Sequence, residues 1–239
     1  MSRGAQTQIS KTKDLKNPNE YVLALSNELR SWAFDEEQAP RYKGHWRDQI
    51  FEADSFSPLD LEIGTGNGFH FAEHAKRHPN RNLLGIELKY KPLVQAIRRV
   101  LRQGGTNARI LRYNAVHLDQ LFEKEELNNV YIHFPDPWEK LRQNKHRLIQ
   151  LEFLNRLFHL QKSGAFVEFK TDSRDYYLWA RERFEQSPYV IIEDSENLHQ
   201  SAYAAKNFVT HFESIFLRKS LPIHYCRLQK VQQNGAIRA

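Results

Sequence analysis

Short apolar runs alternate with helical segments from about Phe56 onward, and this alternation limits the possible folds more than any other feature of the chain. Strands are predicted at residues 59–63, 83–86, 109–111, 129–134 and 165–169. Helices are predicted at residues 69–76, 92–102, 116–122 and 147–160. Strands that alternate with helices pair in parallel through right-handed crossovers. The sequence therefore predicts an α/β fold with a doubly wound, mostly parallel sheet.

The chain has room for one such domain and shows no repeat or linker that would divide it. Its 239 residues suffice for a sizeable core. Residues 1–19 are polar and nearly devoid of apolar side chains, so we expect a flexible N-terminal arm there. Residues 20–239 are expected to form a single domain, with a helical extension at its start and a basic substrate-binding segment at its end.

Several classes of protein are disfavoured by composition. Cys226 is the only cysteine, so an intramolecular disulfide is impossible and a reducing compartment fits. No apolar run approaches the roughly 20 residues that span a bilayer, and the N-terminus lacks the hydrophobic segment of a signal peptide. We expect a cytoplasmic protein without membrane association. The formal net charge of +6 favours a polyanionic partner.

The first predicted strand ends in an acid and three alternating glycines, Glu62-Ile63-Gly64-Thr65-Gly66-Asn67-Gly68. Ligands of parallel sheets bind at the carboxyl ends of the strands, where glycines allow close approach to the backbone. A dinucleotide fingerprint requires glycine where Phe69 stands, and a Walker loop requires Gly-Lys-Ser/Thr, so both motifs are absent. The turn instead resembles the cofactor loop of S-adenosylmethionine-dependent methyltransferases, in which an acid meets the ligand's α-amino group.

Two further strands end in side chains that suit a nucleoside. Glu87 closes the second strand, where a carboxylate can accept hydrogen bonds from both ribose hydroxyls. Asn114 follows the third strand and can hydrogen-bond an adenine edge. A helix cap or a turn would explain either residue alone, so the prediction depends on their combination with the glycine loop.

The fourth strand is followed by a proline-stiffened acid, in the run Phe134-Pro135-Asp136-Pro137-Trp138. The two prolines hold Asp136 in an extended conformation. A rigid acid beside a flat ring suits recognition of a nucleobase. The cations Lys140, Arg142, Lys145 and Arg147 follow with no acid between them. Clustered cations of this kind indicate nucleic-acid binding.

These features together resemble the bacterial tRNA (guanine-N7-)-methyltransferases. The family pattern Phe-Pro-Asp-Pro-Trp, followed by a lysine and a basic run, matches residues 134–138, Lys140 and residues 142–147. Thr-Asp after the fifth strand matches residues 171–172, and Thr-x-Phe-Glu matches residues 210–213. The four motifs occur in order across roughly residues 55–230.

The resemblance implies a Rossmann-like, seven-stranded class I methyltransferase sheet, with S-adenosyl-L-methionine as cofactor. It further implies methylation of guanine N7 at position 46, in the variable loop of tRNA. The implied cofactor-binding residues are Glu62, Gly64, Gly66, Gly68, Glu87, Asn114 and Asp136. The implied tRNA-binding residues are Trp138, Lys140, Arg142, Lys145, Arg147, Asp172, Thr210, His211, Phe212 and Glu213. Neither a metal nor an obligate protein partner is implied.

Asp136 is the predicted catalytic residue. Guanine N7 carries a free lone pair on the major-groove edge, so no proton has to be removed before it attacks a methyl group. We therefore expect Asp136 to hold guanine through its N1 and N2 groups and to offset the positive charge that develops on the ring. Trp138 either stacks on the base or braces the loop.

Three positions depart from the family pattern. Asn114 stands where the family usually has Asp, Leu141 replaces a residue that is often basic, and His211 replaces a usual Lys. The Phe-Pro-Asp-Pro-Trp core is intact, so we expect an active enzyme with altered details.

Two other functions remain open at this point. An amino-group methyltransferase for N6 of adenine or N4 of cytosine uses a related Asp/Asn-Pro-Pro-aromatic loop, but here a single proline follows Asp136. A non-catalytic RNA-binding subunit could keep the fold, although it would be expected to lose the cofactor residues.

Three histidines recur every fourth residue, at His70, His74 and His78. They lack the His-Glu-x-x-His order of a zinc motif, so we predict a polar helix face opposite Phe71 and Ala75 and no metal site.

Overall fold

The computed structural model describes residues 11–231, and in these an eight-stranded sheet forms the centre of the molecule. The strands are β1 (Ala33–Phe34), β2 (Leu59–Ile63), β3 (Asn82–Ile86), β4 (Ala108–Leu111), β5 (Val130–His133), β6 (Phe166–Thr171), β7 (Val190–Ser195) and β8 (His224–Gln229). Their spatial order is β1-β4-β3-β2-β5-β6-β8-β7. The predicted α/β class is therefore confirmed, and all five predicted strands are present.

Within residues 11–231, six α-helices connect or precede the strands. They are α1 (Glu20–Ser26), α2 (Phe69–Arg77), α3 (Tyr90–Arg102), α4 (Leu151–Leu160), α5 (Arg174–Gln186) and α6 (His211–Arg218). Helices α2 and α3 pack on one face of the sheet through Phe71, Leu93 and Ile97. Helices α4 and α5 pack on the other face through Leu154, Leu157 and Tyr176.

The strand order reverses between β2 and β5, which pair in parallel at the centre of the sheet. From β2 the chain moves outward through β3 and β4, and it then crosses back to β5 and β6 on the other side. All these pairs are parallel, so their carboxyl ends meet at one edge. Such a reversal opens the crevice in which α/β proteins bind ligands. This edge is called the crevice edge below.

The sheet has eight strands where seven were predicted. The additional strand is the two-residue β1, which pairs in parallel with β4 at Ile110 and Leu111. Strand β8 runs antiparallel between β6 and β7. The class of the sheet is unchanged by this difference in number.

One face of the central strands is unusually polar. Alternate residues of β2, β5, β6 and β8 point to it, and cross-strand pairing places Tyr131 beside Glu168 and Lys170 beside Tyr225. We call this surface the polar face; its residues are Asp60, Glu62, Tyr131, His133, Glu168, Lys170, Tyr225 and Arg227. The residues between them, such as Leu61, Ile132 and Phe169, are fully buried in the apolar core on the opposite side.

Two predicted helices differ from the observed ones. The segment predicted at 116–122 is a 3-10 helix at Ala115–Gln120, interrupted by non-helical dihedral angles at His117. The helix predicted at 147–160 begins at Leu151 instead. Arg147 is extended, and the Gln150 amide donates to the carbonyl oxygens of Asn144 and Arg147 at 2.9 and 3.2 Å. These bonds hold the preceding residues outside the helix.

Part of the predicted N-terminal arm lies outside the described residues, which begin at residue 11. Its described end packs against the domain, since Thr12 Oγ1 lies 2.9 Å from both Glu36 Oε2 and Tyr90 Oη. Lys11 and Lys13 pair with Glu37 at 3.2 and 2.7 Å. Within residues 11–231, no helix has the length and apolarity required to cross a membrane.

Candidate active site

The glycine loop leaves β2 at the crevice edge with an unusual backbone. Gly64, Gly66 and Gly68 have φ values of 77°, 51° and 75°, a region that residues with a side chain rarely adopt. A Cβ atom at Gly68 would lie 2.4 Å from Ala96 Cα, so Gly68 allows α2 and α3 to pack closely. A Cβ atom at Gly64 or Gly66 would have no described atom within 4 Å beyond the adjoining residues, so both positions face open space beside the loop.

Glu87 fixes this loop. Its Oε2 accepts a hydrogen bond from the Gly66 N–H at 3.0 Å, and its Oε1 accepts one from the Lys89 N–H at 2.9 Å. Each carboxylate oxygen retains a second lone pair. Glu87 can therefore anchor the loop and still accept the ribose hydroxyls for which the sequence predicted it.

Glu62 is nearly inaccessible, with 3% of its side chain exposed, and its Oε2 lies 2.8 Å from Nδ1 of His70 in the first turn of α2. Its position at the end of β2, directly before the glycine loop, matches the prediction. The histidine partner was not predicted.

Asn114 lies at the crevice edge, but its side chain already has a structural role. Its Oδ1 accepts a hydrogen bond from the Val116 N–H at 3.1 Å and so caps the following 3-10 helix. One acceptor lone pair is thereby occupied. Both the predicted nucleoside contact and the simple turn are compatible with this geometry.

The loop that carries Asp136 is held at both ends. The Phe134 N–H donates to the Lys170 carbonyl at 2.8 Å, and Arg147 Nε donates to the Pro137 carbonyl at 2.7 Å. Phe134 and Trp138 both adopt positive φ, at 53° and 46°. Strained backbone of this kind persists only where its surroundings enforce it, and it concentrates at functional sites. Asp136 itself is exposed.

Arg147 was predicted to bind phosphate, and its surroundings give it a different role. It is 5% exposed, and its guanidinium lies 5.1 Å from the ring centroids of both Tyr176 and Trp179. Burial raises the pKa of the Tyr176 hydroxyl to about 12, so the ring beneath the guanidinium stays neutral. Arg147 therefore braces the Asp136 loop from inside and is not accessible to a phosphate.

The other predicted cations of this loop are accessible. Lys140, Arg142 and Lys145 are exposed on and around a short 3-10 helix at Leu141–His146. The Trp138 ring lies 5.3 Å from the His146 ring, which supports the bracing role for Trp138. The exposed cations therefore form a basic rim beside Asp136.

Asp172 follows β6 at the same edge. An acid just before a helix can cap it, but α5 is capped by Ser173, whose Oγ accepts from the Tyr176 N–H at 3.3 Å. The Asp172 carboxylate is thus not the cap, and it remains a candidate for substrate binding.

The Thr-x-Phe-Glu motif begins α6, in the segment between β7 and β8. Thr210 and Glu213 form a reciprocal capping box: Glu213 N–H donates to Thr210 Oγ1 at 3.1 Å, and Thr210 N–H donates to Glu213 Oε2 at 3.3 Å. Glu213 is fully buried and Thr210 is 7% exposed, so a direct tRNA contact by either is disfavoured. Phe212 is 45% exposed and packs at 4.8 Å on the ring of Phe134. The side chain of His211 lies outside the described part of the structure.

The sequence prediction missed the ionic cluster on the polar face. Glu168 accepts from Arg227 at 2.6 Å and lies 3.0 Å from His133 Nε2. Burial opposes the charge of Glu168, but the His133 hydrogen bond and the Lys170 and Arg227 charges outweigh it and hold its pKa well below the usual range. Burial lowers the pKa of His133 to about 3, aided by the charge of Lys170. Two charged residues at alternate positions of β6, Glu168 and Lys170, were the signal that could have revealed this face.

His70 and His74 lie on α2, and His78 follows the end of this helix. No group of metal-ligating side chains that could hold an ion occurs within residues 11–231. His74 is 5% exposed and lies 3.1 Å from Asp60, so at this position the predicted polar helix face packs against the sheet.

The chain is similar in sequence to known methyltransferases. A family model described as "Putative methyltransferase" matches residues 57–226. The chain is 52% identical over 209 residues to the tRNA (guanine-N(7)-)-methyltransferase of Bdellovibrio bacteriovorus, covering 87% of this chain and 100% of that protein. It is 33% identical to the protein of the same name from Geobacillus kaustophilus, covering 82% of this chain and 93% of the relative.

Solved structures share the architecture at low sequence identity. The 16S rRNA methyltransferase KamB has a TM-score of 0.55 and 14% identity, over 74% of this chain and 90% of that one. A SAM-dependent methyltransferase from Aquifex aeolicus has a TM-score of 0.51 and 12% identity, over 73% and 83% of the two chains. These similarities confirm the predicted methyltransferase type of sheet and say nothing of substrate.

Proposed function

Because the chain belongs to the tRNA (guanine-N7-)-methyltransferase family, we propose that it methylates guanine N7 in tRNA, with S-adenosyl-L-methionine as methyl donor. We propose position 46, in the variable loop, as the target. The observation that carries this function is the rigid, proline-flanked Asp136 loop beside the glycine loop, at the edge where the strand order reverses.

The residues at the crevice edge fit the cofactor. Gly64 and Gly66 leave open space beside the loop. Glu62 lies near the end of β2, and Glu87 directly follows the neighbouring strand β3. Glu62 is suited to the α-amino group and Glu87 to the ribose hydroxyls. S-adenosyl-L-methionine supplies an electrophilic methyl group on a positively charged sulfur and leaves as a neutral thioether.

The protein's task in this reaction is alignment. The lone pair of N7 forms the new bond to carbon while the carbon–sulfur pair returns to sulfur, so no side chain has to accept a proton. Alignment of two reactants can contribute on the order of 7–11 kcal/mol. Asp136 would hold the guanine edge through N1 and N2, and its negative charge would offset the positive charge that the ring gains.

The decisive experiment identifies the methylated nucleoside. Purified protein is incubated with labelled S-adenosyl-L-methionine and an unmodified tRNA transcript, and the digested product is separated. We expect 7-methylguanosine, and no product from a transcript with adenosine at position 46. N6-methyladenosine, N4-methylcytidine or no product would overturn the function; 7-methylguanosine from the second transcript would overturn only the position.

The basic rim formed by Lys140, Arg142 and Lys145 predicts salt-dependent tRNA binding. Each neutralised phosphate contributes roughly 0.7 to 0.9 to the slope of log affinity against log salt. Lys140→Ser should therefore lower that slope by about 1 and weaken binding at low salt. Filter binding at several salt concentrations measures both the slope and the affinity at low salt. Lys124→Ser is the matched control, because Lys124 is exposed in the loop that precedes β5, at the opposite edge of the sheet. Equal slopes of log affinity against log salt for the two variants would show that Lys140 does not contact tRNA.

A further inference from the structure

Two histidine–carboxylate pairs join α2 to β2; His70–Glu62 is called the upper rung below, and His74–Asp60 the lower rung. His70 Nδ1 lies 2.8 Å from Glu62 Oε2, and His74 Nε2 lies 3.1 Å from Asp60 Oδ2. Four residues of helix advance about 6 Å and two residues of strand about 6.6 Å, so the two spacings coincide. Pro58, two residues before Asp60, precedes β2 and carries no carboxylate that could pair with His78 in the same way.

The lower rung is part of the core. Asp60 is fully buried and also binds Arg81 through two hydrogen bonds of 2.6 Å and the Asn129 N–H at 3.0 Å. Burial opposes its charge, but the Arg81 and His74 hydrogen bonds outweigh it and lower the pKa of Asp60. All of these partners belong to the protein itself, so the lower rung stabilises the fold.

The upper rung has a different environment. Among the described residues, the Glu62 carboxylate has one hydrogen-bond partner, His70, on Oε2. Glu62 stands two residues before Gly64, whose Cβ position faces open space. A buried carboxylate requires several donors. Glu62 therefore has acceptor capacity left for a ligand, while His70 fixes the orientation of its carboxylate plane.

We propose that His70 is a positioning residue for the cofactor: its Nδ1–H holds Oε2 of Glu62 so that the remaining lone pairs meet the α-amino group of S-adenosyl-L-methionine. This inference rests on the proposed role of Glu62. A neutral imidazole is sufficient for this role. His70 then orients the Glu62 carboxylate without neutralising it, and the carboxylate charge stays available to the ammonium group of the cofactor.

The surroundings of His70 allow substitutions that separate its aromatic ring from its hydrogen-bond donor. Its ring lies 5.2 Å from Tyr131, 4.4 Å from His133 and 6.5 Å from Phe208, measured between centroids. It also lines a cavity of about 330 Å³ between α2, the polar face and segment 198–208. His70→Phe thus keeps an aromatic ring and removes the donor, while His70→Asn keeps a donor close to the position of Nδ1.

The test compares two ligands that differ in the amino-acid moiety. S-adenosylhomocysteine carries the α-amino group, and 5′-methylthioadenosine lacks it. Calorimetric dissociation constants of the full-length protein should show about tenfold weaker S-adenosylhomocysteine binding for His70→Phe. Binding of 5′-methylthioadenosine should stay within twofold, and His70→Asn should restore S-adenosylhomocysteine binding to within about threefold.

Control variants separate the possible failures. His74→Asn, one turn along the same helix face, should lower the melting temperature without changing the ratio of the two dissociation constants. If His70→Phe weakens both ligands equally or neither, or if His70→Asn binds as weakly as His70→Phe, the positioning role is refuted. Glu62→Gln should also weaken S-adenosylhomocysteine selectively. If Glu62→Gln does so and His70→Phe does not, only the His70 proposal fails; if Glu62→Gln has no effect, the assignment of Glu62 fails.

Discussion

Replacing Asp136 by alanine should lower kcat/KM for tRNA methylation by about 100- to 1,000-fold, the usual cost of removing one preorganised electrostatic contact to a transition state. Asp136→Asn retains the shape of the side chain and one acceptor oxygen but loses the charge. It should lie between the wild type and Asp136→Ala if both orientation and charge contribute. Steady-state rates with an unmodified tRNA transcript, at saturating methyl donor, measure the effect.

The size of this effect follows from the rigidity of the loop. Pro135 and Pro137 restrict the backbone on both sides of Asp136, and Arg147 and Lys170 hold the loop through its carbonyl and amide groups. A carboxylate in such a loop is oriented before substrate binds, so little of the proposed interaction with guanine would be lost to ordering.

A control for Asp136 lies three residues further along the same loop. Glu139 is also an exposed acid, but no proline follows it. Glu139→Ala should change kcat/KM by less than about threefold, since surface acids contribute little. If Glu139→Ala and Asp136→Ala have the same small effect, the loop carries no specific catalytic acid.

The parts of the fold that the sequence could predict are those with a regular hydrophobic pattern. Strands β2 to β6 each contain at least two buried apolar residues, and α3 carries a stripe of apolar residues that includes Leu93, Ile97 and Val100. Strand β1 has two residues, Ala33 and Phe34, which is too short for any pattern. Strand β8 mixes buried tyrosine, cysteine and leucine with Arg227, because one of its sides belongs to the polar face. Tertiary pairing determines such strands more than local sequence does.

The candidate site shows the same division. The glycine loop, Glu87 and Asp136 were predictable because strand ends in a parallel sheet share one edge, and the structure brings them to that edge. The burial of Arg147 was not predictable, since a basic run looks the same whether its last cation faces solvent or packs on Tyr176. The partnership of His70 with Glu62 depends on the register between α2 and β2, which no local pattern encodes.

Glu213 is the residue whose expected role changes most between sequence and structure. The family resemblance implied a tRNA contact, but its carboxylate is fully buried. It accepts a hydrogen bond from Asn207 at 2.6 Å, lies 3.7 Å from the Lys170 ammonium, and caps the start of α6. Lys170 is itself 2% exposed, and its backbone carbonyl holds Phe134. Glu213 thus links the β7–β8 segment to the strand that supports the Asp136 loop.

Glu213→Ala should therefore destabilise the protein by about 3 kcal/mol, the lower end of the cost of breaking a buried ion pair, because Lys170 would keep only Glu168 as an acidic partner, at 4.0 Å. Urea unfolding followed by circular dichroism measures the change. Thr210→Ala removes the hydroxyl of the same capping box without exposing a buried charge, and it should cost only about 1 kcal/mol.

A tRNA-binding measurement distinguishes the two roles of Glu213. Glu213→Gln preserves size and most hydrogen bonds, so a folded population should persist and can be assayed. Its affinity for tRNA should equal that of the wild type, because a fully buried carboxylate does not reach the RNA. Wild-type stability combined with a large loss of tRNA affinity would show instead that the segment opens and that Glu213 reaches the RNA. Unchanged tRNA affinity combined with lower stability would show that Glu213 acts by holding α6 against β6.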